Sequence, residues 1–208
     1  MKRPTDLCAR ALGVLFVTAF IPGAMAQPGS VTVERIWEAL GLHDGLTVCE
    51  IGAGDGELSV AAARLVGPNG RVYATELGDT KVKSLRSKVE GSRQPQITVL
   101  DGDPLKTNFP EGACDAVFMR NVYHHFGDPA AMDASIAASL RPGGRVAVVD
   151  FTPPGKEAPT PAKRGEDGMH GVAPDTVASE LAAAGLESIR TEADGQRAFM
   201  VVFAKPVR

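Results

Sequence analysis

The chain has 208 residues, 44% of them hydrophobic, which is enough for one full-sized domain with its own core and too few for two. A formal charge of -3 with 23% charged residues excludes a generic basic nucleic-acid binder and an acidic disordered tail. Three cysteines cannot make a disulfide scaffold, so the fold must stand on packing.

The first 26 residues read as a secretory signal. Lys2, Arg3 and Arg10 make a positive start, residues 11–21 are apolar, and Pro22-Gly23 break the run before Ala24-Met25-Ala26, a small-x-small cleavage pattern. The apolar run falls short of the about 20 residues that a stable membrane span needs, and Cys8 precedes it, poorly placed for a lipid anchor. The expected mature chain begins at Gln27, is exported to the periplasm or secreted, and forms a single domain over 27–208. Cleavage removes three basic and one acidic side chain from totals of 22 and 25, leaving 19 and 24 and a charge of -5.

Residues 31–40 carry Val33, Ile36, Trp37 and Leu40 at helical spacing, an amphipathic helix leading into the core. Apolar runs then alternate with helical patterns. The spacing predicts strands over 47–51, 71–75, 97–100, 115–119, 143–150, 187–191 and 197–204, with helices over 57–66, 79–89, 129–140 and 174–184. This alternation is that of a mostly parallel sheet covered on both faces, an α/β fold. Residues 152–173, with Pro153, Pro154, Pro159, Pro161 and several glycines, fit neither pattern and read as a long surface loop or lid.

The first strand ends in Glu50-Ile51-Gly52-Ala53-Gly54-Asp55-Gly56-Glu57 and opens a helix. Glycines let the backbone turn sharply and approach a ligand, and the helix start offers unpaired N–H groups. A dinucleotide fingerprint needs its third glycine at position 57, where Glu57 would repel a phosphate, and no Gly-Lys-Ser/Thr of a P-loop follows.

This stretch, with an acidic residue two places before its first glycine, resembles motif I of class I S-adenosylmethionine-dependent methyltransferases. Three more features fall at that family's places: Glu76 closing the second strand, Gly102-Asp103 after the third, and Leu140-Arg141-Pro142-Gly143-Gly144-Arg145 at the turn into the fifth. The resemblance covers about residues 31–204. It implies a Rossmann-like seven-stranded sheet in the order 3-2-1-4-5-7-6 with helices on both faces and the seventh strand antiparallel. It also implies S-adenosyl-L-methionine as cofactor, with Glu76 on the ribose hydroxyls and Asp103 on the adenine amino group. The implied cofactor site comprises Glu50, Gly52, Ala53, Gly54, Asp55 and Gly56, then Glu76 and Leu77, then Gly102, Asp103 and Pro104, with Arg120 and Asn121 off strand four. Asp55 also suits a helix cap.

Strand four runs into Arg120-Asn121-Val122-Tyr123-His124-His125-Phe126 and lacks the Asn/Asp-Pro-Pro-Tyr motif of methyltransferases that act on amino groups of bases or glutamine. That absence and the acidic charge point away from nucleic acid. The Asn-Val-Tyr-His-His run is similar to the subgroup that methylates small molecules such as quinone precursors, sterols or arsenite. Arsenite chemistry needs several thiols, and the mature chain keeps only Cys49 and Cys114. The expected catalytic residues are Tyr123, His124 and His125, with His125 preferred as a proton acceptor. No metal is expected, because adjacent histidines on a regular helix point about 100° apart. His170 resembles a histidine before the penultimate helix of that subgroup, although Gly171 stands where an arginine is usual. Cys49 and Cys114 are expected to be free thiols, because an offset of about three residues between parallel strands is roughly 10 Å. A degenerate relative that binds a nucleoside-like ligand or a protein partner without turnover is the other reading.

Overall fold

The computed structural model describes residues 31–207. The expected signal sequence, Cys8 and the cleavage point at Gln27 lie outside the described residues. Among the described residues no helix is long and apolar enough to cross a membrane.

After helix α1 (Val33–Leu40), strand β1 (Thr47–Ile51) leads to α2 (Glu57–Val66), β2 (Arg71–Glu76), α3 (Asp79–Ser92) and β3 (Ile97–Asp101). The second half holds β4 (Cys114–Arg120), a 3-10 turn (Tyr123–His125), α4 (Pro129–Ser139) and β5 (Leu140–Phe151), then α5 (Pro174–Ala183), β6 (Glu187–Ala193) and β7 (Ala198–Ala204). The sheet order is β3-β2-β1-β4-β5-β7-β6. β1 to β5 pair in parallel, and β7 runs antiparallel to both β5 and β6. The class I methyltransferase order expected from the motifs is the order found.

Side chains of a strand alternate between the two faces, so a sheet buried on both sides needs apolar residues at consecutive positions. On one face Ile51, Val117, Met119, Val148 and Phe199 meet Met132 and Ile136 of α4 and Val177 and Leu181 of α5. On the other, Val48, Phe118, Ala147, Met200 and Val202 meet Ile36 of α1, Ala62 and Val66 of α2 and Leu85 of α3. Trp37 stands edge-on to Phe118 at 5.0 Å between ring centroids, and the Arg145 guanidinium donates to the Ala39 carbonyl near the end of α1.

One expectation fails here. Cys49 and Cys114 form a disulfide, with Cα atoms 6.1 Å apart. The offset itself is as expected, since Cys49 lies opposite Val117. The expectation assumed regular pairing down to Cys114, but the register with β5 shifts between Cys114 and Ala116, where two steps of β4 face the five from Leu140 to Arg145. Cys114 lies in the same core cluster as Cys49 and Val117, within bridging range.

The proline-rich segment after β5 is a long loop, as expected, yet it is pinned. It contains a second 3-10 turn (Pro161–Lys163). Beyond that turn, the buried Arg164 donates two bonds to the Glu180 carboxylate of α5, at 2.6 and 3.0 Å. Glu157 accepts from the Ala173 N–H and the Thr176 hydroxyl, holding the start of α5.

Candidate active site

In an open α/β sheet the ligand cleft forms at the carboxyl ends of strands where the order reverses. Here that point lies between β1 and β4. The cleft there is about 440 Å³, within the ~300–1,000 Å³ of small-molecule sites, and is lined from the ends of β1, β2, β3 and β4.

Glu76 is the best-defined polar group in it. Its side chain is nearly buried, and its carboxylate accepts from the Gly54 N–H at 2.6 Å and the Leu77 N–H at 2.9 Å. Both oxygens are thus oriented by backbone and keep lone pairs for a ligand. The glycine loop fits closely around this group. Gly52 has φ +69°, and a Cβ there would lie 2.5 Å from Val122, whereas a Cβ on Gly54 would enter open space. The Asp55 side chain accepts from the Glu57 N–H, holding the start of α2. An adenosyl group, with two ribose hydroxyls and an adenine amine, matches the carboxylates of Glu76 and Asp103 and the open face of the loop.

Of the expected residues, Gly52, Glu76, Leu77, Gly102, Asp103, Pro104, Arg120, Asn121 and His125 line the cleft. Asn121 holds a left-handed backbone, φ 57°, with its N–H on the Val149 carbonyl. Ala53, Gly54, Asp55 and Gly56 build the loop beside it. Glu50 does not reach the cleft wall: it is buried behind the loop, where its carboxyl accepts a short hydrogen bond from the Ser59 hydroxyl. Burial pushes its pKa up to about 8, against the Ser59 hydrogen bond and with help from the charges of Asp55 and Glu76. It is therefore a loop-holding residue.

Tyr123 also departs from expectation. The 3-10 turn sends it into the core, where its hydroxyl bonds Asp133 at 2.7 Å and Glu180 at 3.0 Å. Burial, then the neighbouring Asp133, raises its pKa, so it is a packing and anchoring residue away from the cleft. Burial likewise lifts Asp133 to about 7, against its hydrogen bond from Tyr123.

The three histidines His124, His125 and His170 lie close together. His124 is buried, and its Nδ1 lies 2.8 Å from one oxygen of the fully buried Asp150, while its backbone N–H reaches the other at 3.1 Å. Its Nε2 faces the His170 Nε2 at 2.9 Å. The His124 and His125 rings approach to 3.9 Å between centroids. Loss of solvent around His125, then the charges of His124 and His170, lower its pKa, leaving a neutral imidazole open to the cleft.

Sequence reasoning missed Asp150, Lys81, Lys106, Phe126 and Met132. Asp150 was findable: it is a carboxylate ending the apolar run of a central strand, on the same rim as the other acids. Lys81 and Lys106 carry no local motif, and Phe126 and Met132 reach the cleft only through the packing of α4.

Comparison with known proteins agrees with this geometry. A model of the methyltransferase domain matches residues 49–148. A ubiquinone/menaquinone biosynthesis C-methyltransferase of Saccharophagus degradans is 26% identical over 155 residues, 72% of this chain and 62% of that protein. The chain therefore spans about three fifths of the length of that curated relative. A methyltransferase from Aquifex aeolicus superposes with a TM-score of 0.69 at 23% identity, covering 83% of this chain and 88% of the other. Geranyl diphosphate C-methyltransferase of Streptomyces coelicolor, solved with S-adenosyl-L-homocysteine, gives 0.69 at 15% identity over 83% and 76%. At these identities the two structures establish the fold. The methyltransferase-domain match runs from the glycine strand into β5, on a sheet wound in the order of the methyltransferase fold.

Proposed function

We propose that the protein methylates a small-molecule acceptor and does so outside the cytoplasm. The observation that carries the reading is the cleft itself, with Glu76 held by the glycine loop at one end and His125, Phe126 and Met132 at the other. When bound, S-adenosylmethionine supplies an electrophilic methyl on a positive sulfur, whose carbon–sulfur electron pair stays on sulfur as the acceptor's nucleophile takes the methyl. Glu76 would hold the ribose hydroxyls and Asp103 the adenine amine. The wall of Val122, Phe126 and Met132 favours an acceptor with an apolar part, and His125 is placed to take the proton of a hydroxyl acceptor. A small acceptor is also the class named for the quinone-biosynthesis relative.

Two independent features support export. The pattern of residues 1–26 is that of a signal peptide, and a Cys49–Cys114 disulfide belongs to an oxidising compartment. Intact mass of protein recovered from the cell envelope should start at Gln27; a cytoplasmic product retaining Met1 would reverse this reading. For the chemistry, His125→Ala should lower turnover by about 100-fold while cofactor affinity stays near wild type. Equal turnover on the true acceptor would remove His125 from the reaction.

A further inference from the structure

We propose that His124, His125 and His170 form a divalent transition-metal site, with zinc as the fitting ion, at the acceptor end of the cleft. This deepens the methyltransferase reading and rests on it for the role of the site: with the ion bound, His125 serves as a ligand in place of free proton acceptor, and the metal can be tested separately.

The three imidazoles present ligand nitrogens that all lie within 4.8 Å of one another. Nitrogens bound to one zinc at about 2.0–2.1 Å stand roughly 3.4 Å apart in a tetrahedral site. His124 and His170 already face each other at 2.9 Å, close to that separation. His125 and His170 are exposed, so their side chains can turn to close the wider gap. Adjacent positions on a 3-10 turn stand about 120° apart, yet the His124 and His125 rings approach to 3.9 Å between centroids, so the side chains themselves lean together.

The supporting groups favour a metal over a chance cluster. With its Nδ1–H donating to the Asp150 carboxylate, His124 turns its Nε2 lone pair toward His170. A carboxylate behind an imidazole ligand is the usual second layer of a zinc site. The loop is fitted to deliver His170. Gly171 has φ +130°, a Cβ there would lie 2.5 Å from the Phe151 carbonyl, and the Val172 N–H binds that same carbonyl. The Arg197 guanidinium donates to the Thr152 and His170 carbonyls from the β7 side. The glycine that replaces the family's usual arginine is thus the residue that lets the loop close on Phe151. Three neutral nitrogen donors suit zinc and its neighbours, and leave an open position toward the cleft for water or an acceptor oxygen.

The test uses tag-free, metal-stripped protein titrated with zinc, with cobalt as a spectroscopic probe. One zinc per chain and a visible cobalt absorption of nitrogen-bound character are expected. Both should be lost in His170→Ala, whose side chain is exposed and whose removal leaves the core intact. Asp150→Asn should bind zinc about 10- to 100-fold more weakly. Equal zinc binding by wild type and His170→Ala, or none by wild type, would overturn the site. Calorimetry with S-adenosylhomocysteine on the same metal-free samples separates the two readings. Cofactor binding without zinc binding refutes the metal alone, and absence of both refutes the cleft as well.

Discussion

Glu76 accepts two backbone N–H groups and still faces the cleft, so the proposed ribose contact would meet a carboxylate already oriented by the backbone. Glu76→Ala should weaken S-adenosylhomocysteine binding by on the order of 1–3 kcal/mol, read by calorimetry, with Glu76→Gln intermediate. Unchanged affinity in a folded variant would move the ribose site elsewhere. Glu50 gives a second test. Its buried carboxyl keeps in the fold a proton that the unfolded chain releases near about pH 4.3. Folding therefore binds a proton between that pH and about 8, and stability falls as pH rises through this window. Glu50→Gln should lose less stability than wild type between pH 5 and pH 8 in urea unfolding, and equal losses would mean that Glu50 is ionised in the fold. The sequence placed Glu76, Asp103 and the glycines on the rim because strand ends fix them. It misplaced Tyr123 and Glu50 because direction out of a turn, and depth behind a loop, are set by tertiary packing against α4, α5 and Ser59.

At the scale of elements, alternation of apolar runs with helical patterns carried the α/β class and the motif resemblance carried the strand order, and the expected and observed limits differ mainly at strand and helix ends. The register shift between β4 and β5 and the pinned loop were not legible. A register shift leaves no local mark on Cys114-Asp115-Ala116, so strand offset alone did not reveal the Cys49–Cys114 disulfide. Thiol titration of the denatured mature protein without reductant should find no free groups. Reduction should lower stability by roughly 4 kcal/mol, the chain-entropy cost of opening a loop across 65 residues. Two titratable thiols in untreated protein would restore the free-thiol expectation. The loop after β5 read as loose because its prolines and glycines suit no regular element. What holds it is Arg164 on Glu180 and Glu157 at the start of α5, contacts between residues 16 or more apart.

The whole molecule is a two-faced sheet whose reversal point between β1 and β4 opens one cleft with a carboxylate end and a histidine end. The carboxylate end is where the matched domain and the glycine loop agree, and the histidine end is assembled from three separate segments, β4's exit, β5's last carboxylate and the long loop. The measurement that bears most directly on this account is transfer of labelled methyl from S-adenosylmethionine, by the purified mature protein, to the small-molecule fraction of an envelope extract. Label should appear in that fraction and fall sharply with Glu76→Ala. Label confined to protein or nucleic acid, or no transfer despite cofactor binding, would contradict a small-molecule methyltransferase.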